Sequence, residues 1–149
     1  MKINQFLDAT YLKTASQAAV SETENEQKVI GLINEAIMYN YKLVMLRSNY
    51  ISLAKNIRLD AKADFLIGTV IDFPNGDSST ENKIIEAKKA IALQADEIDF
   101  VINYNAFKKG EIDFIKAEVL EGTKLCIDNN KVVKWIIEVA ALSSEEIIV

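Results

Sequence analysis

Strand-like and helix-like segments take turns along the chain, and this alternation constrains the fold more than any other property of the sequence. Apolar runs at residues 42–46, 65–73, 97–103 and 132–139 predict strands, with an earlier one over residues 6–10. Helical patterns lie between them. Ser21-Glu-Thr-Glu24 is a capping box, followed at helical spacing by Val29, Ile30, Leu32, Ile33, Ala36 and Ile37. Residues 51–57 read as a short helix. Ser78-Ser-Thr-Glu81 is a second capping box, opening a helix with Ile84, Ile85, Ala87, Ala90 and Ile91, and residues 114–126 form the next helix. Strand and helix in turn, through about four and a half units, predict a parallel sheet with crossover helices.

Two α/β architectures satisfy that order: an open doubly wound sheet and part of a closed (β/α)8 barrel. The strand faces decide between them. Alternation along residues 97–103 puts Glu97, Asp99, Val101 and Asn103 on one side, with Ile98, Phe100 and Ile102 on the other. Along residues 132–139, Lys134, Ile136 and Glu138 share a side opposite Val133, Trp135, Ile137 and Val139. An open sheet covered by helices on both faces would bury those charges against apolar layers. A barrel has an apolar outside facing its helices and an inside that can hold a polar site, so the pattern predicts a TIM-type barrel.

A closed eightfold barrel takes about 250 residues, whereas this chain has 149, enough for about five βα units. The expectation is therefore an incomplete barrel forming a single domain over residues 1–149. Ser143-Ser-Glu-Glu146 is a third capping box, and the sequence stops at Val149 before one helical turn is complete. Both points suggest the N-terminal portion of a longer design. The alternative is a half-barrel that completes itself by pairing with another chain.

Composition narrows the chemistry. With no His, the chain supplies no Ser-His-Asp or Cys-His arrangement, no His-ligated metal and no imidazole shuttle. One Cys, Cys126, excludes an internal disulfide and a Cys-cluster zinc site. The formal charge of -5 gives no field for nucleic acid or an anionic membrane. The N-terminal residues reach a charge before forming a signal-peptide centre, and no apolar run approaches the roughly 20 residues that span a bilayer. The expected location is cytoplasmic, with no nucleic-acid or membrane partner.

Asp99, Lys134 and Glu138, with Glu97 nearby, form the candidate site. A carboxylate next to an amine inside a barrel serves as an acid/base pair beside a carbinolamine or imine, and a buried Lys can itself be a nucleophile. The same charges also suit a structural ion-pair network. Asp8 and Thr10, at the expected end of the first strand, either orient a substrate or cap the following turn. The helix start at residues 77–81 carries its own acids, which favours capping over phosphate binding. Tyr39, Tyr41, Tyr104 and Trp135 read as packing residues, and Cys126 as core.

These residues carry a resemblance. The sequence is similar to the deoxyribose-phosphate aldolases, Schiff-base enzymes that reversibly cleave 2-deoxy-D-ribose 5-phosphate to D-glyceraldehyde 3-phosphate and acetaldehyde. The likeness lies in Phe6-Leu-Asp8-Ala-Thr10-Tyr-Leu-Lys13, Ser52-Leu-Ala-Lys55, Thr69-Val-Ile-Asp-Phe-Pro74-Asn-Gly76 with Ser79-Thr-Glu81, Ala95-Asp96-Glu97-Ile-Asp99-Phe-Val-Ile-Asn103, and Lys134-Trp-Ile-Ile-Glu138. It implies a TIM barrel working without metal or organic cofactor on a sugar phosphate and an aldehyde; a homo-oligomer is a further expectation. It places the acid/base aspartate at Asp99, a pocket lysine at Lys134 and the polar pair of the first strand at Asp8 and Thr10. Glu138 falls in the matching stretch beside the pocket. The family's imine-forming lysine belongs to the following strand, a position not among these 149 residues. The resemblance thus implies an aldehyde-lyase family in which this chain by itself is inactive. The non-enzymatic alternative is a half-barrel that binds a sugar phosphate or pairs with another chain.

Overall fold

The computed structural model describes residues 3–148. The chain divides into two compact units, Met1–Thr69 with Leu93–Asp96, and Val70–Ala92 with Glu97–Val149. Five strands alternate with helices, and every strand pair with a defined register is parallel, as the alternation predicts.

In the first unit, β1 (Asp8–Tyr11) is followed by α1 (Ala15–Ala18), α2 (Glu22–Tyr39), β2 (Leu43–Leu46) and α3 (Ile51–Asp60), and β3 (Leu66–Ile71) begins. β2 pairs with β1 through Asp8–Leu43 to Tyr11–Leu46 and with β3 through Leu43–Leu66 to Leu46–Thr69. All four β2 residues are buried, as a parallel strand between two neighbours requires. Val29, Ile33 and Ala36 of α2 and Ile51 and Ala54 of α3 complete this core. At Gly68 a Cβ would come 2.6 Å from the Met45 side chain, so the core takes no larger residue there without a shift.

The first capping box forms as expected: Glu24 N donates to Ser21 Oγ at 3.2 Å, and Ser21 N donates to Glu24 Oε2 at 2.9 Å. Those bonds to Ser21 hold the Glu24 carboxyl below the usual range. Asn25 is buried on α2, accepting from Tyr11 Oη at 2.8 Å and donating to Tyr50 Oη at 3.1 Å. One amide thereby ties the end of β1 to α2 and to the turn before α3. Arg58 of α3 donates to Asp96 at 2.7 Å, and Asp96 also accepts from Ile67 N at 2.9 Å.

The second unit carries α4 (Thr80–Ala92), β4 (Glu97–Val101), α5 (Tyr104–Lys108), α6 (Ile112–Asp128), β5 (Val132–Ile136) and α7 (Ser144–Ile148). β4 and β5 pair from Glu97–Val132 to Val101–Ile136. Phe100 and Trp135 stack with ring centroids 4.7 Å apart, and Trp135 Nε1 donates to Thr123 Oγ1 of α6 at 3.0 Å. Gly122 lets α6 come this close, since a Cβ there would lie 2.8 Å from the Trp135 ring. The third capping box also forms, with Ser143 N donating to Glu146 Oε2 at 2.8 Å. Val149 lies outside the described residues.

Several boundaries differ from the sequence expectation, each for a local reason. The first strand is Asp8–Tyr11, so Asp8 opens it rather than ends it, after a 3-10 turn at Ile3–Phe6. The strand expected over residues 65–73 stops at Ile71 because Asp72 turns left-handed (φ 55°), its carboxylate accepting from Ser78 N at 2.8 Å and Ser78 Oγ at 2.7 Å. Ser78 is thereby used up, and Ser79 caps α4, accepting from Asn82 N at 3.3 Å. β4 stops at Val101, and Asn103 instead caps α5, a helix the sequence pattern does not announce. β5 stops at Ile136, so Glu138 is no longer on the strand with Lys134; it adopts φ 51° and starts a 3-10 turn. Helices α3 and α6 run past the expected 51–57 and 114–126.

Cys126 is fully buried, and burial pushes its thiol up to about 11. The folded value lies above the free value of 9.0. The associated stability is therefore intact below about pH 9 and lost as pH rises through about 11. We expect Ellman's reagent at about pH 8 to leave the folded chain unlabelled and to react with one thiol after denaturation. Rapid labelling of the folded chain contradicts the buried placement.

Candidate active site

The parallel ladder between β4 and β5 sorts the side chains by chemistry. Period-two alternation sends Ile98 and Phe100 toward α6 with Trp135, and leaves Glu97 and Asp99 on the other face with Lys134. Asp99 and Lys134 are register partners. The Lys134 ammonium donates to Glu97 Oε1 and lies 4.0 Å from Asp99 Oδ2. Glu97 is fully buried and Asp99 is buried, while the Lys134 side chain is 42% exposed. Two carboxylates thus flank one ammonium that keeps a path to solvent. Chemically this is a place where a proton can be taken up and returned beside a bound carbonyl compound.

Of the residues singled out in the sequence, the structure brings Asp99 and Lys134 together, with Glu97 as the closer carboxylate. Glu138 is partly exposed and follows the end of β5. Asp8 and Thr10 share the exposed face of β1 in the first unit. Among the described residues, no cluster of three or more His, Cys, Asp or Glu side chains could hold a metal, and no helix is long and apolar enough to cross a membrane.

A second charged group fastens the end of β4. Lys83 of α4 is 1% exposed and donates from Nζ to Gly76 O at 2.9 Å, Val101 O at 2.8 Å and Glu118 Oε1 at 2.7 Å. Glu118 of α6, equally buried, accepts from Asn103 N through its other oxygen at 3.1 Å. The Asp72 carboxylate lies 3.7 Å from the same ammonium. Three hydrogen bonds from one ammonium, with the Glu118 carboxylate, therefore bind the loop after β3, the last residue of β4 and helix α6 into one polar knot. Gly76 meets it at φ 67°, packed so closely under the Ile102 carbonyl that a Cβ has no room.

Sequence reasoning passed over Lys83 and Glu118, although a signal exists. Lys83, Ala87 and Ala90 are spaced i, i+4, i+7, and Glu118, Gly122 and Cys126 are spaced i, i+4, i+8. Each charge sits at a core position of its helix, where an unpaired charge is not tolerated.

No protein-family model matches the chain. It is 36% identical over 146 residues to the deoxyribose-phosphate aldolase of Thermococcus gammatolerans, an alignment covering 98% of this chain and 61% of that protein. With the enzyme of the same name from Metamycoplasma arthritidis it shares 42% identity over 147 residues, 99% of this chain and 62% of the relative. The Mycoplasma mycoides counterpart is 34% identical over 148 residues, 99% of this chain and 69% of that protein. The chain thus spans about three fifths of the length of the first two. Among solved structures, an aldolase called QR15 superimposes with a TM-score of 0.83 at 26% identity, covering 99% of this chain and 60% of its own. A tetrameric deoxyribose phosphate aldolase from Aeropyrum pernix shares the fold, with a TM-score of 0.77 at 23% identity over 97% of this chain and 56% of its own.

The knot around Lys83 makes a stability prediction. Lys83→Met strands the Glu118 carboxylate in the core and should cost about 3–5 kcal/mol. Adding Glu118→Leu should recover most of that loss, because a well-packed apolar pair replaces the ions. Urea unfolding of both variants tests this, and an unchanged midpoint for Lys83→Met contradicts the knot.

Proposed function

The chain belongs to the deoxyribose-phosphate aldolase family, and from that premise we propose that its residues form the proton-transfer half of a Schiff-base aldolase acting on 2-deoxy-D-ribose 5-phosphate. The observation that carries the proposal is the placement of Asp99 beside Lys134 on the polar face of the β4–β5 ladder, with the apolar face turned to α6. In the reaction a lysine from outside these 149 residues attacks the substrate carbonyl, and water leaves as the imine forms. C–C cleavage then needs a proton removed from the hydroxyl of the departing aldehyde and one returned to the enamine carbon. Asp99, working through water with Lys134 as its charged neighbour, is the group proposed to carry them. Asp8 and Thr10 are proposed to orient substrate or water from β1, and Glu138 to serve near the end of β5. D-glyceraldehyde 3-phosphate departs at cleavage, water then adds to the remaining imine and the C–N bond breaks to release acetaldehyde, and the expected setting is cytoplasmic.

A second reading, a half-barrel that pairs with another chain, draws on one observation. An apolar cavity of about 400 Å³ lies along α5 and α6, lined by Phe107, Ile112, Ile115, Val119 and Leu120, with Leu120 well exposed. A symmetric dimer with cooperative unfolding in sedimentation and melting experiments would favour that reading.

The aldolase proposal is tested by joining the chain to the part of the Metamycoplasma arthritidis relative that it does not span, and following retro-aldol cleavage. The joined protein should turn over, and Asp99→Asn in it should lose about a hundredfold or more. The 149-residue chain alone should show no cleavage. Equal rates with and without the Asp99 carboxylate contradict the assignment.

A further inference from the structure

Asn75-Gly76 is the one Asn-Gly pair in the sequence, and it lies in the loop between β3 and α4. Asn75 is exposed, whereas Gly76 is buried. In a free chain this dipeptide is the one most prone to deamidation, because glycine has no side chain to shield its amide from the asparagine before it. The fold does not let the loop escape that risk by replacing the glycine. Gly76 stands at φ 67°, and a Cβ there would run into the Ile102 carbonyl and the Val101 side chain. The same close packing restrains the residue. Gly76 N donates to Asp72 O at 2.9 Å, and Gly76 O accepts from the buried Lys83 Nζ at 2.9 Å. Asp72 is held in turn by Ser78, whose N and Oγ donate to its carboxylate at 2.8 and 2.7 Å. The amide, α-carbon and carbonyl of one glycine are thus each set against a different neighbour.

We propose that Asn75 is a deamidation site kept latent by the anchoring of Gly76. The reaction needs the Gly76 amide to give its proton to solvent hydroxide and attack Asn75 Cγ. An N–Cγ bond forms, the Cγ–Nδ2 bond breaks and ammonia leaves, giving a succinimide. Water then adds to either imide carbonyl, and breaking of that C–N bond leaves aspartate or isoaspartate. While Gly76 N is bonded to Asp72 O and the residue is pinned between Ile102 and Lys83, the nitrogen neither yields its proton readily nor swings toward Cγ. Conversion therefore passes through a local opening of the loop, and its rate follows the population of the opened form. Lys83 limits that population, because it ties Gly76 to the end of β4 and to α6. Either product adds a negative charge to the loop. Isoaspartate also lengthens the backbone by one carbon beside a glycine with no spare room, so the loop does not close again as before. None of this rests on the aldolase reading.

The test uses the 149-residue chain and needs no turnover. Samples are held at mildly alkaline pH in buffer and in denaturing urea, and peptide mass mapping follows the loss of the Asn75 amide with time. The folded chain should convert at least ~10-fold more slowly than the unfolded one. Lys83→Met with Glu118→Leu removes the anchor on the Gly76 carbonyl and leaves an apolar core in its place. With its fold verified by urea unfolding, this double variant should convert Asn75 about threefold or more faster than the unaltered chain in buffer, and at the same rate in urea. Equal rates for the unaltered chain in buffer and in urea overturn the proposal, even if the double variant does not fold. A folded double variant that converts Asn75 no faster than the unaltered chain overturns it as well.

Discussion

The pairing of β4 with β5 is the constraint from which the second unit's chemistry follows. Once Asp99 faces Lys134 across a parallel ladder, alternation leaves no choice about the neighbours: Phe100 must stack on Trp135 on the opposite side. The apolar side is sealed by α6, whose Gly122 permits ring contact and whose Thr123 satisfies the indole N–H. The polar side is then the only place left for Glu97, Asp99 and Lys134. Fold and candidate site are two faces of one ladder.

Two groups of charges in this unit are treated differently. Lys83 and Glu118 are sealed from water, and the ammonium has three acceptors while the carboxylate uses both oxygens. That is the bonding of a structural pair. In the Glu97–Asp99–Lys134 group the ammonium contacts both carboxylates and also reaches solvent. An arrangement open to solvent on one side is less suited to cross-linking the fold than a sealed pair, and compatible with moving protons.

The alternation of elements and the sorting of strand faces were legible in the sequence because both depend on short-range periodicity. Asp99 and Lys134 could be brought together on that basis alone. What escaped depends on particular side-chain bonds and left-handed turns, which a periodic pattern of apolar residues does not encode. β4 ends early since Asn103 N is claimed by Glu118 and its side chain by α5. β3 ends at a left-handed Asp72 stabilised by Ser78, which in turn passes the capping role to Ser79. Glu138 left its expected face for a related reason, a left-handed turn directly after Ile137. Charged residues at core helix positions, such as Lys83, look like solvated surface until the partner on another helix is known.

The central claim is that the charges on the polar face of β4 and β5 serve chemistry and not the stability of the fold. The most direct measurement is the urea-unfolding free energy of the chain carrying Glu97→Leu, Asp99→Leu and Lys134→Met together. If the charges are there for chemistry, this apolar face should be as stable as the original or more so, since ions removed as a group relieve desolvation. A loss of about 3–5 kcal/mol would instead mark them as a structural network and contradict the account.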